Sequence, residues 1–319
     1  MGQWEIRRAS LADREAIANL CRAAEGPEDY VLEFLDDMIL RGVFLVALDG
    51  NRIIGAVSYR EALDRSAWLA AARTHPEYRR QRVASELIES LVGLAQRSGI
   101  HALRLWSSAS NSAGVASARA CGFKEVSRFA RMTCPSMRGG LRPPSISFST
   151  ELGERIRDSD IMRRGKGYIP YDWYFVKLTT GNVHLMANAG AFFAIDSGIA
   201  CFSAPGELTL EFGLVEGTPV PLLRGIARTA GAMGCKEATG FLPQDSALIS
   251  GARKLGYVPG TWGKHAILFE RPIPVSPTSY RKRRTFAEIA AGKSGGYPAP
   301  ANLAGHEGHA GPHEDRWNA

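Results

Sequence analysis

Residues 79–84 combine positive charge with small side chains in front of a helix. They read RRQRVA and lead into SELIESLVGLAQRSG, whose apolar residues recur at helical spacing up to Gly99. The first amides of a helix have no partner inside the helix and carry about half a positive charge. Arg79, Arg80 and Arg82 add side-chain charge. The stretch therefore predicts a site for a phosphate or diphosphate, and the alternative is a solvated basic turn before a surface helix.

The elements around this loop predict an α+β fold, an α/β sandwich in which helices flank a sheet. Ser10 and Asp13 form a capping signal for a first helix, and a second helix ends at Gly42. The dipeptide Gly50-Asn51 separates two apolar runs and predicts a hairpin. Further strands and helices alternate from there, so we expect a mixed, mostly antiparallel sheet over residues 1–135.

Composition shifts along the chain predict four segments. A Pro- and Gly-rich stretch over residues 136–145 indicates a linker between a first domain, 1–135, and a second, 146–272. Residues 273–319 are rich in Gly, Pro, Ala and charge, which predicts a disordered tail.

The second domain reads as a degenerate copy of the first. A helix ending in Gly, a strand, a polar loop residue and a short helix occur in the same order in both. The polar residue, Asn111 or Asp245, precedes a glycine, Gly122 or Gly256, by 11 positions in each copy. The second copy has TPVP where the first has its basic loop.

Composition excludes several function classes. The chain of 319 residues has net charge +7, but its basic residues fall into short local groups, so we expect no nucleic-acid partner. No apolar run is long enough to span a membrane, and the start lacks a secretory pattern, which together predict a cytoplasmic protein. The five cysteines are scattered and odd in number, so we expect reduced thiols and no metal site. His306, His309 and His313 are read as solvated residues of the tail.

Several motifs together resemble the GNAT N-acyltransferase superfamily. The strand AWLAAARTHPEY precedes the basic loop, Asn111 and ARACGF follow at the family's spacing, and the element order of residues 4–132 matches. The resemblance implies binding of acetyl-CoA as co-substrate, with Asn111 as one contact. It implies that the pantetheine arm pairs with the strand at Ala72, Arg73 and Thr74. It further implies that the diphosphate lies on the loop backbone of Arg79, Arg80, Gln81, Arg82, Val83 and Ala84.

The sequence departs from this family at two places. Arg82 occupies a position where glycine favours close backbone approach, and we expect it to be tolerated if its φ is helical. Ala118 stands where the family often has a tyrosine acid.

The acceptor amine also needs a proton acceptor, because an alkylammonium has a pKa of about 10.4. The strand LAAAR lacks the family's glutamate, which leaves Glu61, and Asp29 with Tyr30, as candidates; each also reads as an ordinary surface residue. We name Glu61 and Tyr30 as the catalytic residues.

These motifs predict an N-acetyltransferase in which the amine of a small molecule or amino acid attacks the thioester directly in a ternary complex. The alternative is a non-catalytic CoA-binding regulatory or interaction module that has lost its acid and base.

A more distant similarity links GPEDYVLEFLDDMI and HPEYRRQ to the GNAT proteins that include histidine N-acetyltransferases. It implies that the second copy shapes an acceptor pocket. The aromatic stretch GYIPYDWYFVKL, residues 167–178, suits a pocket wall, although an aromatic strand also suits a core.

Overall fold

The computed structural model describes residues 4–171, 174–195, 198–203, 208–260 and 264–274. These residues form two compact units. Unit 1 comprises residues 1–125 and resumes at Phe269, and unit 2 comprises residues 126–268. The domain boundaries predicted from composition stay predictions, and the predicted tail lies outside the described residues except for residues 273 and 274.

Unit 1 alternates strands and helices. Its helices are α1 (Arg14–Glu25), α2 (Val31–Arg41), α3 (Val83–Ser98) and α4 (Ser112–Ala120), with short 3-10 turns at Leu11–Asp13 and Pro76–Tyr78. Its strands are β1 (Glu5–Arg8), β2 (Val43–Asp49), β3 (Arg52–Glu61), β4 (Ala67–Thr74) and β5 (Ala102–Ser108), and β6 (Lys124–Pro135) begins at its end. Strands β1 to β4 pair antiparallel in succession, and β4 pairs with β5 in parallel. This is the mixed, mostly antiparallel sheet that the sequence predicts.

Local signals start and stop these elements where the sequence indicates. The Asp13 carboxylate accepts a hydrogen bond from the Ser10 amide at 2.8 Å and pairs with Arg7 at 2.7 Å. The Arg7 guanidinium holds the pKa of the Asp13 carboxyl well below its usual range. Gly99 ends α3 in the left-handed conformation, at φ 71°. The apolar faces of α1 and α2 bury Ile17 and Leu35 against the sheet core.

Unit 2 contains a larger number of short elements. Its helices are α5 (Thr150–Asp158), α6 (Asp160–Arg164), α7 (Thr180–Asn188), α8 (Pro219–Ala232) and α9 (Ser246–Lys254). Its strands, besides most of β6, are β7 (Tyr168–Tyr171), β8 (Tyr174–Lys177), β9 (Phe192–Ile195), β10 (Gly198–Phe202), β11 (Thr209–Gly217), β12 (Glu237–Pro243), β13 (Val258–Pro259) and the start of β14 (Ala266–Pro272). Strands β9, β10 and β11 pair antiparallel, β11 pairs with β12 in parallel, and β12 pairs with β6 antiparallel. Strands β7 and β8 form a separate hairpin.

Equivalent residues end and begin the same elements in both units. The Asn111 side chain caps α4 by accepting from the Gly114 amide at 2.8 Å, and the Asp245 side chain caps α9 by accepting from the Leu248 amide at 2.8 Å. The glycine after each helix adopts positive φ, 80° at Gly122 and 91° at Gly256. The shared order and caps support the predicted duplication.

Three further observations concern the sequence-based exclusions. No helix in the described part of the chain is both long and apolar enough to cross a bilayer. All five cysteines are buried free thiols, and burial raises the pKa of Cys21 to about 12. Within the described ranges, no cluster of three or more His, Cys, Asp or Glu side chains is placed to hold a metal ion.

Candidate active site

Strand β4 contains a bulge at Ala71 and Ala72. Ser58 of β3 pairs with Ala70, but Ala56 pairs with Arg73, so β4 carries one extra residue over this stretch. Ala71 adopts φ 54°, in the left-handed region, which costs a non-glycine residue about 1 to 2 kcal/mol. Strain of this kind is concentrated at functional sites in proteins.

Strands β4 and β5 pair only at their first residues and then separate. We call this arrangement the fork, with its closed end where the strands pair and its open end where they have separated. Their parallel register consists of Ala67 with Leu103 and Trp68 with Arg104. Strand β4 continues to Thr74 with β3 as its described partner. The side of β4 that faces β5 is therefore an open edge after Trp68, where an extended ligand can form main-chain hydrogen bonds.

A buried ionic cluster holds the closed end of this fork. The Arg104 side chain is fully buried, and its guanidinium donates to Glu270 at 2.7 Å, to the Ser66 hydroxyl at 2.6 Å and to Asp64. Because Asp64 and Ser66 immediately precede β4 and Arg104 lies on β5, the cluster fixes where the two strands meet.

The loop from β4 to α3 has an unusual backbone. Arg80 and Arg82 both have positive φ, 62° and 66°. Arg82 therefore does not meet the condition of a helical φ under which we expect an arginine to be tolerated here, because it caps α3 in the left-handed conformation that glycine favours. Alternation of left- and right-handed residues turns successive amides toward one point and forms a concave anion site.

The amides of this loop are not used by the protein itself. The first main-chain bond of α3 runs from the Glu86 amide to the Arg82 carbonyl at 3.0 Å, and none of the described residues accepts from the amides of residues 80–85. The side chains of Arg80 and Arg82 are exposed. Arg79 instead donates to the Ala24 carbonyl at 3.0 Å, which ties the loop to the end of α1.

Gly55 places this helix start beside the open edge. A β-carbon at residue 55 would lie 2.4 Å from Cγ1 of Val83, so only glycine allows the first turn of α3 to lie on β3 at this point. Gly55 pairs with Thr74, the last residue of β4. The unbonded amides therefore lie at the end of β4 where the fork is open.

A buried ion pair supports the bulge. The Arg73 guanidinium donates to both carboxylate oxygens of Asp29 at 2.8 Å, and its carbon lies 5.4 Å from the centroid of the Tyr30 ring. The Tyr30 hydroxyl accepts a hydrogen bond from the Ala71 amide at 3.2 Å. Burial raises the pKa of Tyr30, so its phenol stays protonated at neutral pH. Asp29, fully engaged by Arg73, is not available as a base.

Two buried polar groups beside the fork have no partner among the described residues. They are the Nδ2 group of Asn111 and the hydroxyl of Ser107, and both lie close to Gly114 in the first turn of α4. A buried polar group without a hydrogen bond costs about 1 to 3 kcal/mol. A bound molecule or a water that hydrogen-bonds to these two groups would therefore be stabilised at this position.

The structure thus brings together most of the residues named from sequence. Tyr30, the strand at residues 72–74, the loop at 79–84 and Asn111 all surround the fork. Glu61 does not join them, because it pairs with Ala67, four residues and about 13 Å along the strand from Ala71.

Sequence reasoning missed two contributors to the site. The bulge at Ala71 has no signal, since alanine gives no indication of positive φ. Arg104 did have a signal in the sequence, because it is a charged residue inside the apolar strand ALRLW.

Comparison with known proteins finds one family that the segment around this site resembles. Residues 11–123 match the model of the acetyltransferase (GNAT) family. A search of curated proteins finds no significant match. The similarity to histidine N-acetyltransferases stays a prediction.

Three solved structures share the fold of nearly the whole chain. A protein from Thermoplasma acidophilum, provisionally described as an acetyltransferase, is 15% identical with TM-score 0.57, covering 84% of this chain and 99% of its own. One from Pyrococcus horikoshii, described in the same way, is 14% identical with TM-score 0.53, covering 86% and 92%. A GCN5-related N-acetyltransferase from Sphaerobacter thermophilus is 14% identical with TM-score 0.51, covering 88% and 99%.

The bulged strand, the open fork and the amide-lined loop all fall inside the matched segment, and it is this segment, residues 11–123, that is similar to the acetyltransferase (GNAT) family.

Proposed function

We propose that the protein is an acetyl-CoA-dependent N-acetyltransferase that acetylates an amine of a small molecule or amino acid. The observation that carries this proposal is the set of unbonded amides at residues 80–85, at the end of β4 where β4 and β5 separate. A helix start of this kind binds a diphosphate, and an open strand edge binds an extended amide-containing arm.

Each part of the site has a role in this proposal. The amides of residues 80–85, with Arg80 and Arg82, hold the diphosphate of the co-substrate. The edge of β4 at residues 72–74 pairs with the pantetheine arm, and Asn111 contacts it from the other side of the fork. Acetyl-CoA supplies an activated thioester, and in this proposal the backbone near Ala72 donates to its carbonyl oxygen.

Tyr30 serves as a proton donor in this proposal. Its hydroxyl accepts from the bulge amide, and its raised pKa keeps the phenol protonated at neutral pH, which is the form that acts as an acid. This supports a role toward the departing thiolate, the role that Ala118 cannot perform. Glu61 stays a candidate proton acceptor, although its distance from the bulge disfavours it.

The test measures CoA binding and turnover separately. CoA should raise the melting temperature of the unaltered protein, and free thiol should appear when acetyl-CoA is mixed with a panel of small amines and amino acids. Tyr30→Phe should lower kcat by about tenfold to a hundredfold while the shift caused by CoA is retained. Glu61→Gln is the matched variant, with an expected loss under about threefold. If CoA gives no thermal shift, the proposal fails.

A non-catalytic CoA-binding module is the second candidate. Ala118 is buried and offers no hydroxyl, and Asp29 is engaged by Arg73, so the site has few ionisable groups for chemistry. Thermal stabilisation by CoA with no thiol release from any amine would favour this module.

A further inference from the structure

The segment that the sequence predicts as a linker, residues 136–145, is bound along helix α8 of unit 2, and we call it the strap. Near its start, the Met137 amide donates to the Ala227 carbonyl at 2.8 Å. Near its end, the Pro144 carbonyl accepts a hydrogen bond from the Ala194 amide of β9 at 3.1 Å. The strap therefore belongs to the surface of unit 2.

Two glycines allow the strap to lie directly on the helix. A β-carbon at Gly140 would lie 2.2 Å from the Arg228 carbonyl oxygen, and one at Gly231 would lie 2.3 Å from the Met137 carbonyl oxygen. Because no β-carbon fits at these distances, only glycine permits the two main chains to approach so closely. The strap is thus held in main-chain contact with the last two turns of α8.

This contact brings together four arginines from two distant parts of the sequence. Arg138 and Arg142 lie on the strap, on either side of Gly140, and Arg224 and Arg228 lie one turn apart on α8. All four are exposed, and within the described ranges no carboxylate pairs with any of these side chains. Like charges one helical turn apart repel each other, so this surface favours an anionic partner.

Exposed leucines accompany the positive charges. Leu141, between the two strap arginines, is 86% exposed, and a β-carbon at Gly139 would meet no atom within 4 Å, so the strap projects from unit 2 here. Leu208 is 52% exposed, and its carbonyl accepts from the Lys236 amide at 2.8 Å. The Lys236 carbonyl in turn accepts from the Ser136 amide at the start of the strap. The projecting surface therefore combines cations with apolar side chains.

This combination suits the surface of an anionic lipid bilayer. A leucine can enter the boundary between headgroups and acyl chains, while arginines beside it stay at the level of the lipid phosphates. A nucleic-acid backbone would satisfy the guanidiniums but would leave the projecting Leu141 in water. Contact with one leaflet needs no membrane-spanning segment.

We propose that the strap and α8 form a docking surface for an anionic bilayer, with Arg138, Arg142, Arg224 and Arg228 on the lipid headgroups and Leu141 inserted between them. Each arginine near the bilayer adds to the attraction, and salt screens it. With a single inserted side chain, the attachment is reversible. The surface is separate from the acetyl-transfer site proposed for unit 1.

The test measures sedimentation of the full chain with lipid vesicles in the absence of acetyl-CoA, so its result does not depend on acetyl transfer. Vesicles of phosphatidylcholine with about one third phosphatidylserine should bind the protein at least about tenfold more tightly than vesicles of phosphatidylcholine alone. The difference should shrink as the salt concentration rises.

Variants assign this binding to the strap and α8. Arg224→Gln combined with Arg228→Gln should weaken binding to the anionic vesicles by at least about tenfold. Arg253→Gln combined with Lys254→Gln removes the same charge from exposed positions on α9 and should weaken it by under about threefold. Leu141→Ser should weaken it by about threefold to tenfold. All five side chains are exposed, so each variant should keep the melting temperature of the unaltered protein.

Four results would overturn the proposal. They are equal binding to the two kinds of vesicle, no binding to either, equal losses in the α8 and α9 double variants, and unchanged binding by the Leu141→Ser protein. Binding to polyuridylate that depends on Arg224 and Arg228, without binding to anionic vesicles, would also overturn it and would identify a nucleic-acid surface instead.

Discussion

The two units share one arrangement of strand, loop and helix, but they differ in the residues that connect the strand to the helix. In unit 1, β4 and β5 share two register pairs, and a loop with two left-handed arginines presents unbonded amides at the start of α3. In unit 2, β11 and β12 share four register pairs, and α8 begins with proline at its first and third positions, Pro219 and Pro221. Proline has no amide hydrogen, so the start of α8 lacks two of the donors that an anion needs. An anion site therefore depends on the few residues between strand and helix, and the shared scaffold does not specify it.

The largest effect should come from placing a carboxylate at the start of α3. Ala84→Glu suits the positive end of a helix, so folding stability should be kept, but the new charge repels a diphosphate. CoA affinity should fall at least about a hundredfold in a calorimetric titration, since like charges in contact cost several kcal/mol. Pro221→Glu is the matched variant in unit 2 and should leave CoA affinity unchanged. Equal losses in both variants would contradict the assignment of the anion site to unit 1.

Loss of the ion pair beneath the bulge should be the next largest effect. Asp29→Asn leaves the buried Arg73 guanidinium without its charge partner, which costs about 3 to 5 kcal/mol. Urea unfolding should show this loss in the transition that belongs to unit 1. Glu15→Gln removes a carboxylate from an exposed pair with Arg22 and should cost under about 1 kcal/mol.

The third variant, Arg82→Gly, should make the protein more stable but weaken CoA binding. Glycine adopts φ near 66° without strain, so the free energy of unfolding should rise by about 1 kcal/mol. CoA binding should weaken severalfold at low salt, because one exposed positive charge is lost, and the difference should shrink as salt screens that charge. Tighter binding at every salt concentration would instead identify Arg82 as an obstacle.

The smallest effect concerns acid stability in unit 1. Because the folded pKa of Asp13 is depressed by Arg7, its contribution is fully present above the unfolded value near 4 and is lost progressively as pH falls from there through the folded pKa. Asp13→Asn should cost up to about 1 kcal/mol at pH 7 and much less near pH 2, measured by urea unfolding at each pH. A cost that does not change with pH would mean that the charge of Asp13 contributes nothing.

Much of the fold of unit 1 could be predicted because its signals are local. The Ser10 and Asp13 cap, the Gly50-Asn51 turn and the basic helix start each act within a few residues. The fork could not be predicted, since Arg104 meets Glu270 across 166 positions and Arg73 meets Asp29 across 44. Only the folded chain brings such partners together, and the left-handed Ala71 results from that tertiary packing rather than from its own preference.

The Arg104 cluster has a consequence for substrate range. If the thioester lies at the bulge, an acyl chain would extend toward Trp68, where β4 and β5 rejoin. Only three residues, about 10 Å of strand, separate Ala71 from that junction. The length of the longest tolerated acyl group would then be limited by the main-chain hydrogen bonds that join β4 to β5. Replacing single side chains by smaller ones would hardly increase the length of the tolerated acyl group. Weakening the contacts of the Arg104 guanidinium, which joins the two strands, would increase it.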